Sequence, residues 1–175
     1  MRRLAPLDPA DAPGKAKDLL ADIVSRRGGV GDMVATMAHS PALLEGYLDL
    51  SRAMKRVKLP RTLSEKISLA VQERIGCGTC LQAHTEAGRA VGLSETDIAL
   101  ARQGTSTDVR EAALIAVAVR VLAEPSSITD EEIAELRKHG WSDRIIAEIV
   151  GVVALNVLTG AFNLLVGLQP AETAT

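Results

Sequence analysis

Residues 76–84 read Gly-Cys-Gly-Thr-Cys-Leu-Gln-Ala-His and hold both cysteines of the chain. Cys77 and Cys80 stand three apart, and His84 follows Cys80 by four, in a segment patterned as a helix. Residues three and four apart share a helix face, so the three side chains are neighbours. Two thiols at this spacing can cycle between dithiol and disulfide, and an imidazole one turn on can take a thiol proton. In the first turn of a helix, unpaired N–H groups and the helix dipole favour a thiolate. The dipole acts on both sulfurs, more on Cys77, whereas the imidazole is best placed for Cys80. Spacing alone therefore leaves the attacking sulfur open.

Glu65 is the next candidate, on the preceding helix. A turn at Gly76 folds that helix back on the cysteine helix, and reflection about residue 76 sets Glu65 opposite residue 87. That is about one turn from His84 at roughly 1.5 Å rise per residue. A carboxylate there can orient the imidazole and accept its proton. The competing reading is structural: Thr62-Leu-Ser-Glu65 fits a capping box, with Glu65 opposite its helix's apolar stripe. A zinc site is also conceivable. Cys77, Cys80 and His84 supply three ligands where structural zinc takes four, so His39 or His139 would have to come from distant segments. Redox chemistry is the better reading, with no metal and no cofactor called for. A thioredoxin-type site is disfavoured because no βαβ pattern surrounds the motif.

The elements that must hold these residues all read as helices. Residues 13–26 are amphipathic through Leu19, Leu20, Ile23 and Val24, and Gly28-Gly-Val-Gly31 is a flexible linker with no phosphate-loop spacing. Ser40-Pro41 opens a helix to about Arg56. A second runs from Thr62 to about Ile75, and the cysteine helix ends at Gly92. Ser94 caps a short helix to Gly104, and Asp108 opens another that stops before Pro125. Thr129-Asp-Glu-Glu132 is a capping box for a helix ending at Gly140. Ser142 opens a long apolar helix. The expectation is one all-α domain over residues 1–175, with its core over about 13–168 and a frayed tail at 169–175.

Composition narrows the function. A chain of 175 residues suits one well-buried domain. The net charge of −2 and 2% aromatics give no basis for binding nucleic acid or an anionic membrane. From Ile149 to Leu168 no charge occurs, a length that could span a bilayer. Asn156, Thr159 and Asn163 interrupt the run, which favours a helix buried on most sides by the core or another subunit. The basic start Met-Arg-Arg-Leu-Ala-Pro lacks an apolar stretch, so a cytoplasmic, reducing location is expected.

Glu65, eleven residues, Cys77-x-x-Cys80, three residues and His84 together resemble the alkylhydroperoxidase D family, within the wider carboxymuconolactone decarboxylase-like group. The likeness runs from about His39-Ser-Pro-Ala-Leu-Leu through Gly140-Trp-Ser-Asp to Ala161-Phe-Asn163. It implies an all-helical homo-oligomer, commonly a trimer or a multiple of three, and it accounts for the apolar terminal helix. It assigns Glu65 to a proton relay, Cys80 to peroxide attack, Cys77 to resolution as a disulfide, and His84 to deprotonation of Cys80. A dithiol such as a lipoyl group on a partner protein, or another thiol donor, would then reset the pair. The well-known members carry histidine just before the second cysteine, where this chain has Thr79, whose hydroxyl is no base near neutral pH. The resulting expectation is a thiol-dependent peroxidase or disulfide oxidoreductase acting on hydroperoxides. A non-catalytic redox sensor, and a decarboxylase or lyase of the wider group, are the alternatives.

Overall fold

Every regular element in the computed structural model, which describes residues 2–170, is helical, as the capping signals and apolar spacing require. In chain order the helices are α1 Gly14–Arg27, α2 Asp32–Met37, α3 Pro41–Met54, α4 Arg61–Ile75 and α5 Gly78–Ala90. They continue as α6 Glu95–Arg102, α7 Val109–Ala123, α8 Asp130–Lys138 and α9 Asp143–Val166, with one 3-10 turn at Pro125–Ser127. The tail expected to fray at 169–175 lies outside the described residues from position 171 onward.

Most of the caps sit where the sequence puts them. Ser40 accepts from the Leu43 N–H, Ser142 from Ile145, and Thr129 forms a complete capping box with Glu132. Gly28 closes α1 in the left-handed conformation and Gly31 opens α2, so the glycine stretch is a linker. At α4 the expectation fails. The helix starts one residue earlier, at Arg61 after Pro60, and Thr62 makes no cap. Glu65 is thereby left free for another partner. The six-residue α2 was not foreseen, because it is too short to establish a period.

Helix α4 is the hub. It packs against α5, α6, α7 and α9, and nine of its residues are buried, which is why its apolar residues are not confined to one stripe. Leu63, Ile67 and Val71 join Leu114, Ile115 and Ala118 of α7 and Ile149 and Val153 of α9 in the main core. Leu69 faces α6 through Ile98 and Ala101. Its buried ammonium, Lys66, bonds Glu111 at 2.7 Å and Asp97 at 3.3 Å. Burial disfavours that charge, but the two carboxylates outweigh the effect and raise the Lys66 pKa. A second core of Leu20, Met37 and Leu44 joins α1, α2 and α3, with Phe162 of α9 packed on it.

Helix α9 reaches these partners because it is small where it crosses them. A Cβ on Gly151 would stand 2.6 Å from the Met54 sulfur of α3, and one on Gly160 would stand 2.6 Å from Gln72 Oε1 and 3.0 Å from Ile75. The same crossing holds a buried polar layer. Gln72 donates to the Asn156 carbonyl and side-chain oxygen, both at 2.9 Å, and Asn156 donates to Ser68 at 3.1 Å. Asn156 thus interrupts the apolar run to make an inter-helix contact, whereas Thr159 donates back to the Leu155 and Asn156 carbonyls of α9 itself. By length and composition α9 could cross a membrane. The chain itself buries it along one side. Ala147, Val150, Ala154, Val157, Ala161 and Leu164 stay exposed at alternating spacings of three and four.

Adding a methyl where two helices touch forces them apart at a cost of about 1–3 kcal/mol. Gly160→Ala should lose stability in that range in denaturant unfolding. Gly46→Ala, mid-helix in α3 with nothing within 4 Å, should be neutral or stabilising. Equal effects of the two would contradict the close α4–α9 crossing.

Candidate active site

The connection between α4 and α5 sets the site. Gly76 ends α4 in the left-handed region at φ 79°, a conformation costly for any residue with a Cβ. The chain reverses at once, and Cys77 becomes the N-cap of α5, its sulfur accepting the Cys80 N–H at 3.3 Å. Cys77 and Cys80 are joined as a disulfide, with their Cα atoms 5.3 Å apart. The pair is seen in its oxidised form, and each sulfur marks where a thiolate would stand once reduced.

Antiparallel packing of α4 on α5 brings Glu65 directly to His84. Its Oε2 lies 2.7 Å from His84 Nδ1, while Oε1 lies 2.7 Å from Arg61 Nε. The meeting is one turn closer to the connection than reflection about Gly76 places it, because Cys77 caps α5 and shortens the turn. The Glu65 side chain is only 5% exposed. Burial works to raise its pKa, yet the His84 hydrogen bond and the charges of His84 and Arg61 prevail and hold it below the usual carboxylate range. A carboxylate accepts only, so Nδ1 carries the ring proton and Nε2 keeps its lone pair for a proton from elsewhere.

A cavity of about 460 Å³ opens over these residues, walled on its apolar side by Met33, Tyr47, Met54, Val152 and Leu155. Cys80, His84, Glu65 and Thr79 all line it; Cys77, at 1% exposed, does not. Of the two cysteine sulfurs, then, only that of Cys80 belongs to the cavity wall. The Thr79 hydroxyl donates to the Leu168 carbonyl at 3.3 Å, tying the first turn of α5 to the end of α9. His39 instead faces the Ala5 carbonyl at 2.9 Å, and His139 lies 3.7 Å from Glu135, so neither joins the cysteines as a fourth zinc ligand.

One residue was missed. Asn163 of α9, 5% exposed, donates its Nδ2–H to Cys80 Sγ at 3.3 Å and lines the cavity. Its Oδ1 is buried with no hydrogen-bond partner. In the sequence it registers only as a polar break in an apolar run; nothing there ties it to a cysteine 83 positions away.

Comparison with known proteins agrees with this geometry. Residues 41–124 match the carboxymuconolactone decarboxylase family model, a segment that contains Glu65, Cys77, Cys80 and His84. A peroxidase-related protein with an alkylhydroperoxidase core from Ralstonia eutropha JMP134 superposes with a TM-score of 0.82 at 19% identity, over 98% of this chain and 93% of that one. A peroxidase-related protein from Silicibacter sp. TM1040 gives 0.78 at 20% identity, over 95% and 90%. The debrominase Bmp8 gives 0.76 at 20% identity, over 97% and 92%. The family resemblance and the all-helical fold read from the sequence are both met. No curated protein matches the sequence.

A hydrogen bond to a charged group contributes about 1.5–3 kcal/mol, equivalent to one or two pKa units for the acceptor. In the reduced protein, Asn163→Ala should raise the Cys80 thiol pKa by about one unit, read from the pH dependence of alkylation in a Cys77→Ser background. Asn163→Asp, which puts a carboxylate against the sulfur, should raise it further. An unchanged pKa in both variants would remove Asn163 from the site.

Proposed function

For a chain whose residues 41–124 carry the carboxymuconolactone decarboxylase family pattern on an alkylhydroperoxidase-type frame, we propose a thiol-dependent peroxidase. The observation that carries this reading is the shared cavity. Cys80, alone of the two sulfurs, opens into it beside a histidine whose other nitrogen is bonded to a buried carboxylate.

The reduced Cys80 gives its thiol proton to His84 Nε2, directly or through a water. Glu65 holds the imidazole in place and favours the imidazolium that forms. The Cys80 thiolate attacks the distal oxygen of a hydroperoxide. The O–O bond breaks, an S–O bond forms, and the leaving alkoxide takes the proton from His84 to depart as the alcohol. Cys80 is now a sulfenic acid. The Cys77 thiolate attacks the Cys80 sulfur, the S–S bond forms, and hydroxide leaves as water once protonated. A dithiol donor, such as a lipoyl group or another thiol, supplies the two electrons that return the disulfide to two thiols.

The same reading takes the protein to be cytoplasmic, where such donors are present, and to be a homo-oligomer. The exposed face of α9 supports the second point. Its six apolar residues recur at spacings of three and four, the pattern of a helix seam awaiting another helix.

Four measurements test this. With a dithiol donor, wild type should consume hydroperoxide. Cys80→Ser should abolish turnover, and Cys77→Ser should stop after one equivalent with a sulfenic acid trapped on Cys80. Turnover that survives Cys80→Ser, or a wild type active on brominated aromatics and inert to every peroxide, would overturn the peroxidase reading. Glu65→Gln should slow thiolate attack by about tenfold to a hundredfold. The stability that the Glu65 carboxylate contributes should be lost as the pH falls through a pKa held below the ordinary carboxylate range, read from denaturant unfolding across pH. Val157→Glu should lower the mass measured by light scattering; a wild type already monomeric at working concentration would refute the α9 seam.

A further inference from the structure

The reaction cavity does not end at its apolar wall. Lys55, at the end of α3, lines it and also lines a neighbouring cleft of about 200 Å³. That cleft is basic: Arg26, Arg27, Arg52 and Lys55 border it, with Asp22 as its one carboxylate. Two of these cations are already neutralised, Arg26 by Asp22 and Arg52 by Asp49. Arg27 and Lys55 have no ion pair among the described residues. Arg61, which also lines the chamber, is paired through its Nε with Glu65.

One uncompensated positive charge, Lys55, therefore sits at the joint between an apolar chamber and a small polar cleft, and a second, Arg27, lines the cleft, on a chain whose net charge is −2. A concave site of one sign concentrates the opposite charge there. The apolar chamber is of a size that encloses a small organic molecule. We infer that the substrate is an amphipathic organic hydroperoxide bearing a carboxylate, its apolar body in the chamber of Met54, Val152 and Leu155 and its carboxylate on Lys55 and Arg27. The peroxide end then faces Cys80 and His84. This assignment rests on the peroxidase reading for its reacting end only; the anion subsite stands on the cleft itself.

The test compares a medium-chain hydroperoxy carboxylate with its methyl ester at low ionic strength. In parallel, calorimetry measures binding of the corresponding hydroxy acid and its ester, which need no turnover. Loss of a charge-assisted hydrogen bond is about tenfold or more, with exposure of the lysine placing the effect at the lower end. The acid should be favoured over the ester by about tenfold in kcat/KM and in Kd. Lys55→Met and Arg27→Met should each bring the acid-to-ester ratio toward one, and Lys55→Arg should restore it. Equal binding of acid and ester by wild type would overturn the inference. So would Lys55→Met weakening both alike, or inorganic phosphate occupying the cleft without displacing the acid. If the hydroxy acid binds through Lys55 while no peroxide is reduced, the peroxidase reading fails and the subsite stands.

Discussion

A carboxylate buried between an imidazole and a guanidinium is the interaction on which the site depends. Moving Glu65 out of water is expensive, and only two close, well-oriented partners make it tolerable. Arg61 comes from the same helix one turn earlier, so it adds no tertiary constraint. His84 comes from α5, so the requirement fixes how far α5 slides along α4. The same contact fixes the tautomer of His84, and so leaves Nε2 as the nitrogen able to take a proton. One interaction thus sets register and protonation together.

The α9 crossing supplies the rest. Glycines at 151 and 160 let α3 and α4 approach the helix closely, and the Ser68–Asn156–Gln72 layer pairs the Asn156 side chain and the Gln72 amide N–H, while Gln72 Oε1 has no partner among the described residues. That proximity carries Asn163 to the Cys80 sulfur and brings Val152 and Leu155 over it as an apolar roof. Each sulfur then has its own donor. Cys77 receives a backbone N–H at the start of α5, and Cys80 receives the Asn163 amide. The first sulfur is buried at the helix start and the second lines the cavity, so two chemically identical side chains stand in different surroundings.

Thr79 adds to this arrangement. Its hydroxyl donates to the Leu168 carbonyl and so anchors the C-terminal end of α9 to the cysteine helix.

Local physics made much of this legible in the sequence. Caps at Ser40, Ser94, Asp108, Thr129 and Ser142 follow from side chains bonding the N–H groups a few residues away, and each is present. The adjacency of Cys77, Cys80 and His84 is a property of helix geometry and needs no tertiary information. The Thr62 capping box was misread because the same Glu65 served two plausible roles, and burial against α5 chose between them. What the sequence by itself determined is therefore the helices, their ends and the residues sharing one helix face, since those contacts span a few residues. Only the tertiary structure decided that Cys80 lines the cavity, that Asn163 donates to it and that Lys55 joins two cavities. Those facts depend on where separate helices cross, and a crossing is set by the packing of many side chains together.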